Sequence, residues 1–224
     1  MLEQKYISAS CSIVHGEVRK DEKVLYKYEG NSAGEFLLSA YKQLSIEYPK
    51  FYKMDKLSQL GFLATEILLR DDFEKEKHAA DKIGIVFANA NSSLDADLNY
   101  WESVKKMPSP ALFVYTLPNI VIGEICIRNK FKGENAFFVQ ERFDTAFTEF
   151  YVNDLMERHN LEVCICGWVD IVGEQYNAIV YLIEREKKEK SILFTVENIN
   201  HTYELANGYV NVQIERADHS AVKS

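Results

Sequence analysis

Four cysteines, five histidines and one adjacent serine pair are the first side chains to weigh for nucleophilic or metal chemistry in this 224-residue sequence. Cys11, Cys126, Cys164 and Cys166 form no Cys-x-x-Cys pair and have no histidine at metal-ligand spacing, which argues against a zinc site and against a disulfide framework. Reduced, mostly buried thiols are expected. His15, His78, His159 and His219 match no catalytic motif, and satisfied or solvated histidines are expected. Ser92-Ser93 follows an apolar run but lacks the Gly-x-Ser-x-Gly elbow that would expose a nucleophilic hydroxyl. There is no Gly-rich phosphate loop and no His-Glu-x-x-His pair, so neither a cofactor nor a metal is expected.

The elements that would position such groups alternate. Residues 5–15 read as a strand and are followed by a polar stretch to about Gly34. A short helix is expected from Glu35 to about Glu47, before Pro49. From Met54, Leu57, Leu60, Ala64, Ile67 and Leu68 fall on one face at helical period, which predicts a helix over 54–70. The continuously apolar run 82–88 suits a strand buried on both faces, and the small, polar loop 89–93 leads into a helix at 94–105. A Pro-rich loop, 108–118, precedes a packed helix from Asn119 to Arg128. Further along, a strand at 136–139, a helix at 143–158 and a strand at 162–167 are expected. Strands at 178–184, 191–196 and 209–214 would make a β-rich close, with the charged run 184–190 as a solvated hairpin connection. The pattern is that of a single α/β domain, residues 1–224, with a mixed sheet and flanking α-helices.

Composition narrows the class. With 47% hydrophobic and 27% charged residues, the chain has ample core-forming material and is not of the disordered type. Its formal charge of −8 is poorly suited to gripping phosphate backbones, so no nucleic-acid partner is expected. Residues 1–15 carry Glu3 and Lys5 in place of an apolar signal core, and the longest charge-free stretch, 107–123, is broken by three prolines. A cytoplasmic protein without membrane insertion is expected.

Several local motifs in this order resemble the N-terminal half of β-ketoacyl synthases, condensing enzymes of the thiolase-like fold. They are Lys53-Met-Asp-Lys-Leu-Ser58, the strand Ile83-Gly-Ile-Val-Phe87, Ser109-Pro-Ala-Leu-Phe-Val114, Pro118-Asn119, Gly123, Lys132-Gly133 and Cys166-Gly-Trp-Val-Asp170. The resemblance is strongest over residues 53–170, and the β-rich closing segment is placed at 177–215. It implies a thiolase-like half-fold. In active members the nucleophilic cysteine lies nine residues beyond the glycine matching Gly133, at the mouth of a helix that lowers its thiol pKa. Here that position is Arg142, so the resemblance implies a chain without the nucleophile. The histidines that active members carry in their C-terminal half have no counterpart in these residues; His201-Thr202 lies outside the family context.

The resemblance also implies a partner. In the family the strand before the nucleophile, here Ala136-Phe137-Phe138-Val139, pairs with its mate across a two-fold axis. The Pro-rich loop, here bearing Leu112, Phe113, Tyr115 and Thr116, reaches over to line the mate's acyl pocket. A catalytically silent subunit is therefore expected, pairing with a complete ketosynthase and shaping its pocket, similar to chain-length factors of aryl-polyene and flexirubin-type pathways. The alternatives are a stand-alone homodimer that binds an acyl chain or acyl carrier protein, and an enzyme with an unrecognised site.

Overall fold

The computed structural model describes residues 3–71 and 73–221, with side chains of the last helix described as far as Gly208. Its framework is one eight-stranded mixed sheet. The strands are β1 (Tyr6–Val14), β2 (Glu17–Lys20), β3 (Lys23–Lys27), β4 (Ile83–Asn89), β5 (Asn135–Val139), β6 (Val163–Val172), β7 (Gln175–Glu184) and β8 (Ile192–Leu193). Their spatial order is β3-β2-β1-β7-β6-β4-β5, with β8 paired to the start of β1. Only β5-β4 and β4-β6 are parallel; the other pairings are antiparallel.

All seven residues of β4 are buried, as its unbroken apolar run requires, and helices cover both faces of the sheet. One face carries α1 (Ala33–Gln43), α2 (Lys56–Leu68) and α5 (Ile120–Asn129); the other carries α6 (Thr145–Arg158) and α7 (Val196–Ala221). Between β4 and α5 run α3 (Leu94–Val104) and a single-turn α4 (Pro110–Val114). Local chemistry sets the helix starts. Ser32, Asp55, Ser109 and Asp144 cap α1, α2, α4 and α6 by accepting backbone N–H bonds, and Pro110 occupies the first turn of α4. Helix α2 is buried nearly all round and lies inside the molecule, where Gly61 lets Val121 of α5 approach its backbone.

The structure corrects four sequence expectations. The polar stretch after residue 15 is the hairpin β2-β3, entered through His15 and Gly16, both at positive φ. The Pro-rich segment is partly helical because Ser109 and Pro110 form a helix start. The run 184–190 does not close a hairpin: β7 and β8 pair with opposite edges of β1, so the run carries the chain around the end of that strand. Most of the β-rich close is helix, since only Ile192–Leu193 remain strand after β7 and residues 209–214 lie within α7. The alternation Tyr209-Val-Asn-Val-Gln-Ile214 suggested a strand, but the preceding turns of α7 pack Ile199 into the core beside α6 and the helix runs on from that anchor.

Strand β6 runs past Gly167, whose φ of 152° lies in a region other residues avoid. A Cβ there would collide with the Ile179 carbonyl oxygen of β7. Gly167→Ala is therefore expected to destabilise the protein by about 3 kcal/mol or more, combining backbone strain with displacement of a central strand. Chemical denaturation of the two proteins measures it; equal midpoints would show that β6 and β7 yield.

Candidate functional site

Parallel strands of an open α/β sheet end together, and the loops at their carboxyl ends are where such folds place chemistry. Here those loops follow Asn89, Val139 and Val172. They are tied to one another by polar groups. Asp170 on β6 accepts from the backbone N–H of Ala90 (3.3 Å) and Asn91 (3.1 Å) and from Asn91 Nδ2 (2.7 Å). Asn89 folds the loop onto itself, accepting from Ser92 N at 2.8 Å and donating to Ser92 O at 2.7 Å, and its carbonyl receives Gln140 N at 2.8 Å. Ser93 is buried and donates to Thr116 O at 2.7 Å, so the serine pair is a structural link between the β4 loop and the end of α4.

The four pocket-loop residues separate into two groups. Leu112 and Phe113 are exposed, the latter by 55%, and Phe113 packs beside Tyr100 of α3 at 5.3 Å between ring centroids. Tyr115 turns inward. Its hydroxyl donates to Glu124 on α5 at 3.2 Å, and Lys50 pairs with the other oxygen of that buried carboxylate at 2.7 Å. Burial and the Glu124 charge push the Tyr115 phenol well above its ordinary pKa, so it stays a donor. Thr116 is half-buried and donates to Phe113 O at 2.8 Å. The outward apolar set is therefore Leu112 and Phe113 with Val114 and Leu117.

Helix α3 adds a stripe that the sequence reading did not single out. Leu94, Leu98, Trp101 and Val104 are all exposed, Trp101 by 62%, and Ala96 is the one buried residue of the helix. The spacing Leu94, Leu98, Trp101 is that of one helix face, and this signal was present in the sequence. Together α3 and α4 form a two-helix flap whose apolar groups face outward.

The strand 136–139 lies at the edge of the sheet, bonded only to β4 among the described strands. Ala136, Phe137 and Phe138 are half-buried and Val139 is exposed. Phe137 packs toward the α2 and α5 face, whereas Phe138 meets Phe147 and Tyr151 of α6 edge-on, both at 4.9 Å. The two rings serve opposite cores, and what the strand leaves open is its backbone edge.

Arg142 is exposed in the turn between β5 and α6. Asp144, two residues on, caps α6 by accepting from Phe147 N at 2.9 Å. The cysteines follow expectation: Cys11, Cys164 and Cys166 are buried and Cys126 is half-buried, where burial raises its thiol pKa to about 11. Among the described residues no cluster of His, Cys, Asp or Glu could hold a metal, and no helix is long and apolar enough to cross a membrane. His201 sits on α7, not in a strand, and faces a groove of about 1260 Å³ between β1, β2 and α7. Its lining is mixed in charge, with Arg19, Lys20, Lys23, Arg70, Lys188 and Lys190 set against Asp21, Glu22, Asp71 and Glu189.

Asp55, the cap of α2, lies near Asp95, and burial, opposed by its bonds to Leu57 N and Ser58 N, raises its pKa from 3.8 to about 6. A carboxyl whose pKa is raised on folding stabilises less as pH climbs through the window between those values. Wild-type stability is expected to fall relative to Asp55→Asn, which keeps a capping oxygen, by about 2 kcal/mol as pH rises from 4 to 6. Urea denaturation across that range measures the difference, and parallel curves would contradict it.

No family profile matches the sequence, and no curated protein sequence matches it. Solved structures do. The ishigamide ketosynthase/chain length factor matches at TM-score 0.61 and 13% identity over 81% of this chain and 62% of its own. A type II polyketide synthase ketosynthase, solved with its acyl-carrier protein and bound to a hexaketide, matches at TM-score 0.59 and 14% identity, over 82% and 63%. A complex of a ketosynthase with its chain length factor from Xenorhabdus doucetiae matches at TM-score 0.53 and 14% identity, over 82% and 79%. The chain thus spans about three fifths of the length of the first two. With its mixed sheet covered by helices on both faces, it has the thiolase-like fold of ketosynthases and chain length factors.

Proposed function

We propose that this chain is a catalytically silent, ketosynthase-like subunit that pairs with a complete ketosynthase and shapes its acyl pocket, in the manner of a chain-length factor. The observation that carries the reading is the α3-α4 flap. Leu98 and Trp101 of α3 and Leu112, Phe113 and Val114 of α4, with Leu117 in the turn beyond, face outward from two helices that bury little against their own domain. A contiguous apolar surface of this kind marks an interaction site. The open edge of β5 and the likeness to solved ketosynthase and chain-length-factor complexes support the same reading. Arg142, at the position where the resemblance places a nucleophile, supports the absence of chemistry, because a guanidinium cannot form a thioester.

The mechanism is steric. Leu112 and Phe113 of the flap would line the partner's tunnel and set where a growing chain stops, while the Glu124-Tyr115-Lys50 network holds the α4 turn in place behind them. An acyl carrier protein would be met by the pair, and the substrate would be a fatty-acid or polyketide-type chain of the polyene kind. One or two methylenes of depth are worth about 1–3 kcal/mol, so length control would be a preference.

Light scattering of the chain alone and co-expressed with a ketosynthase is expected to give a 1:1 complex that condenses only when both chains are present. Within it, Phe113→Ala or Leu112→Ala is expected to move the product distribution to longer chains, with about 10-fold or more change in the ratio of neighbouring lengths. A stable homodimer indifferent to the ketosynthase would favour an acyl-binding or carrier-binding module. Arg142→Cys is expected not to restore condensation or malonyl decarboxylation in the isolated chain.

A further inference from the structure

The carboxyl ends of β4, β5 and β6 and the N-terminus of α6 make the place where an open α/β sheet ordinarily receives a ligand. In this chain the region is filled by the protein itself. Phe143, just before α6, packs on Trp168 of β6 with ring centroids 5.9 Å apart and on Tyr203 of α7 at 5.3 Å. Thr145, in the first turn of α6 and only 8% exposed, bonds Asn200 of α7 at 2.7 Å. Two turns further along α7, Asn207 accepts from Asn177 of β7 at 2.8 Å, and Ile199, next to Asn200, presents its carbonyl to the Tyr181 hydroxyl at 3.3 Å. Asp144 has already taken one of the free N–H groups of α6. The same face of α7, residues 199, 200, 203 and 207, therefore supplies an apolar seal and the polar bonds that fasten it.

We propose that α7 is a built-in plug, with Tyr203 closing the aromatic seal over the α6 N-terminus. The chain then holds no acyl group of its own, and any growing chain in a partner ends against the outer surface of the α3-α4 flap. This rests on the reading above for its functional meaning, although the closure itself is a property of the single chain.

The test uses the isolated chain and so separates the two. Of the two tryptophans, Trp101 is 62% exposed and Trp168 only 6%, so Trp101→Phe leaves a fluorophore inside the seal. Acrylamide is expected to quench Trp168 severalfold less than it quenches Trp101 in the reciprocal Trp168→Phe protein. Adding Tyr203→Ala to the Trp101→Phe protein is expected to remove most of that protection, and Tyr203→Phe, which keeps the ring, to preserve it. Should Tyr203→Ala unfold the chain, thiol labelling of Thr145→Cys in a Cys126→Ser background provides the second measurement, with labelling expected to be severalfold slower than after mild denaturation. Free quenching of Trp168, no change on Tyr203→Ala, or rapid labelling at position 145 would each overturn the plug. A failure to bind any ketosynthase, with Trp168 still shielded, would overturn only the chain-length-factor reading.

Discussion

The structure depends on the burial of β4 from both sides. A strand with no solvent-facing side chain must have a layer on each face, and its parallel neighbours β5 and β6 can be reached only through crossovers. The chain meets both demands together: the path from β4 to β5 lays α5 on one face, and the path from β5 to β6 lays α6 on the other. The two crossovers gather the loops after Asn89, Val139 and Val172 at one end of the sheet. Asp170 and Asn89 then lock those loops together through backbone N–H groups that would otherwise lack partners.

The same constraint explains what is left outside. Once α2 and α5 fill one face, the segment between β4 and α5 finds little apolar surface to cover. Helices α3 and α4 consequently attach through point contacts, Ser93 to Thr116 and Tyr115 to Glu124, with their apolar groups turned away. On the opposite face the space beside α6 is taken by α7, whose residues reach the mouth of α6.

The buried strands, the long helix α2 and the order of the α/β units could be read from residue order alone, because continuous apolar runs, 3.6-residue periodicity and capping residues are local signals. The ketosynthase-like motifs and the arginine at position 142 were likewise visible in the residue order. Residues 209–214 misled because a short alternating run fits a strand or a helix equally well until the preceding turns are anchored. Which loop residues face out depends on packing between separate elements and was not legible locally. Tyr115 and Phe113 are both aromatic and two positions apart, and nothing local reveals that a buried Glu124 captures one of them. Packing decided as well that Phe137 and Phe138 serve opposite cores, and that α7 reaches back to cover the α6 N-terminus. Phe143 and Tyr203 are sixty positions apart, and even Tyr115 and Glu124, nine apart, meet only because of how the turn after α4 sits on α5.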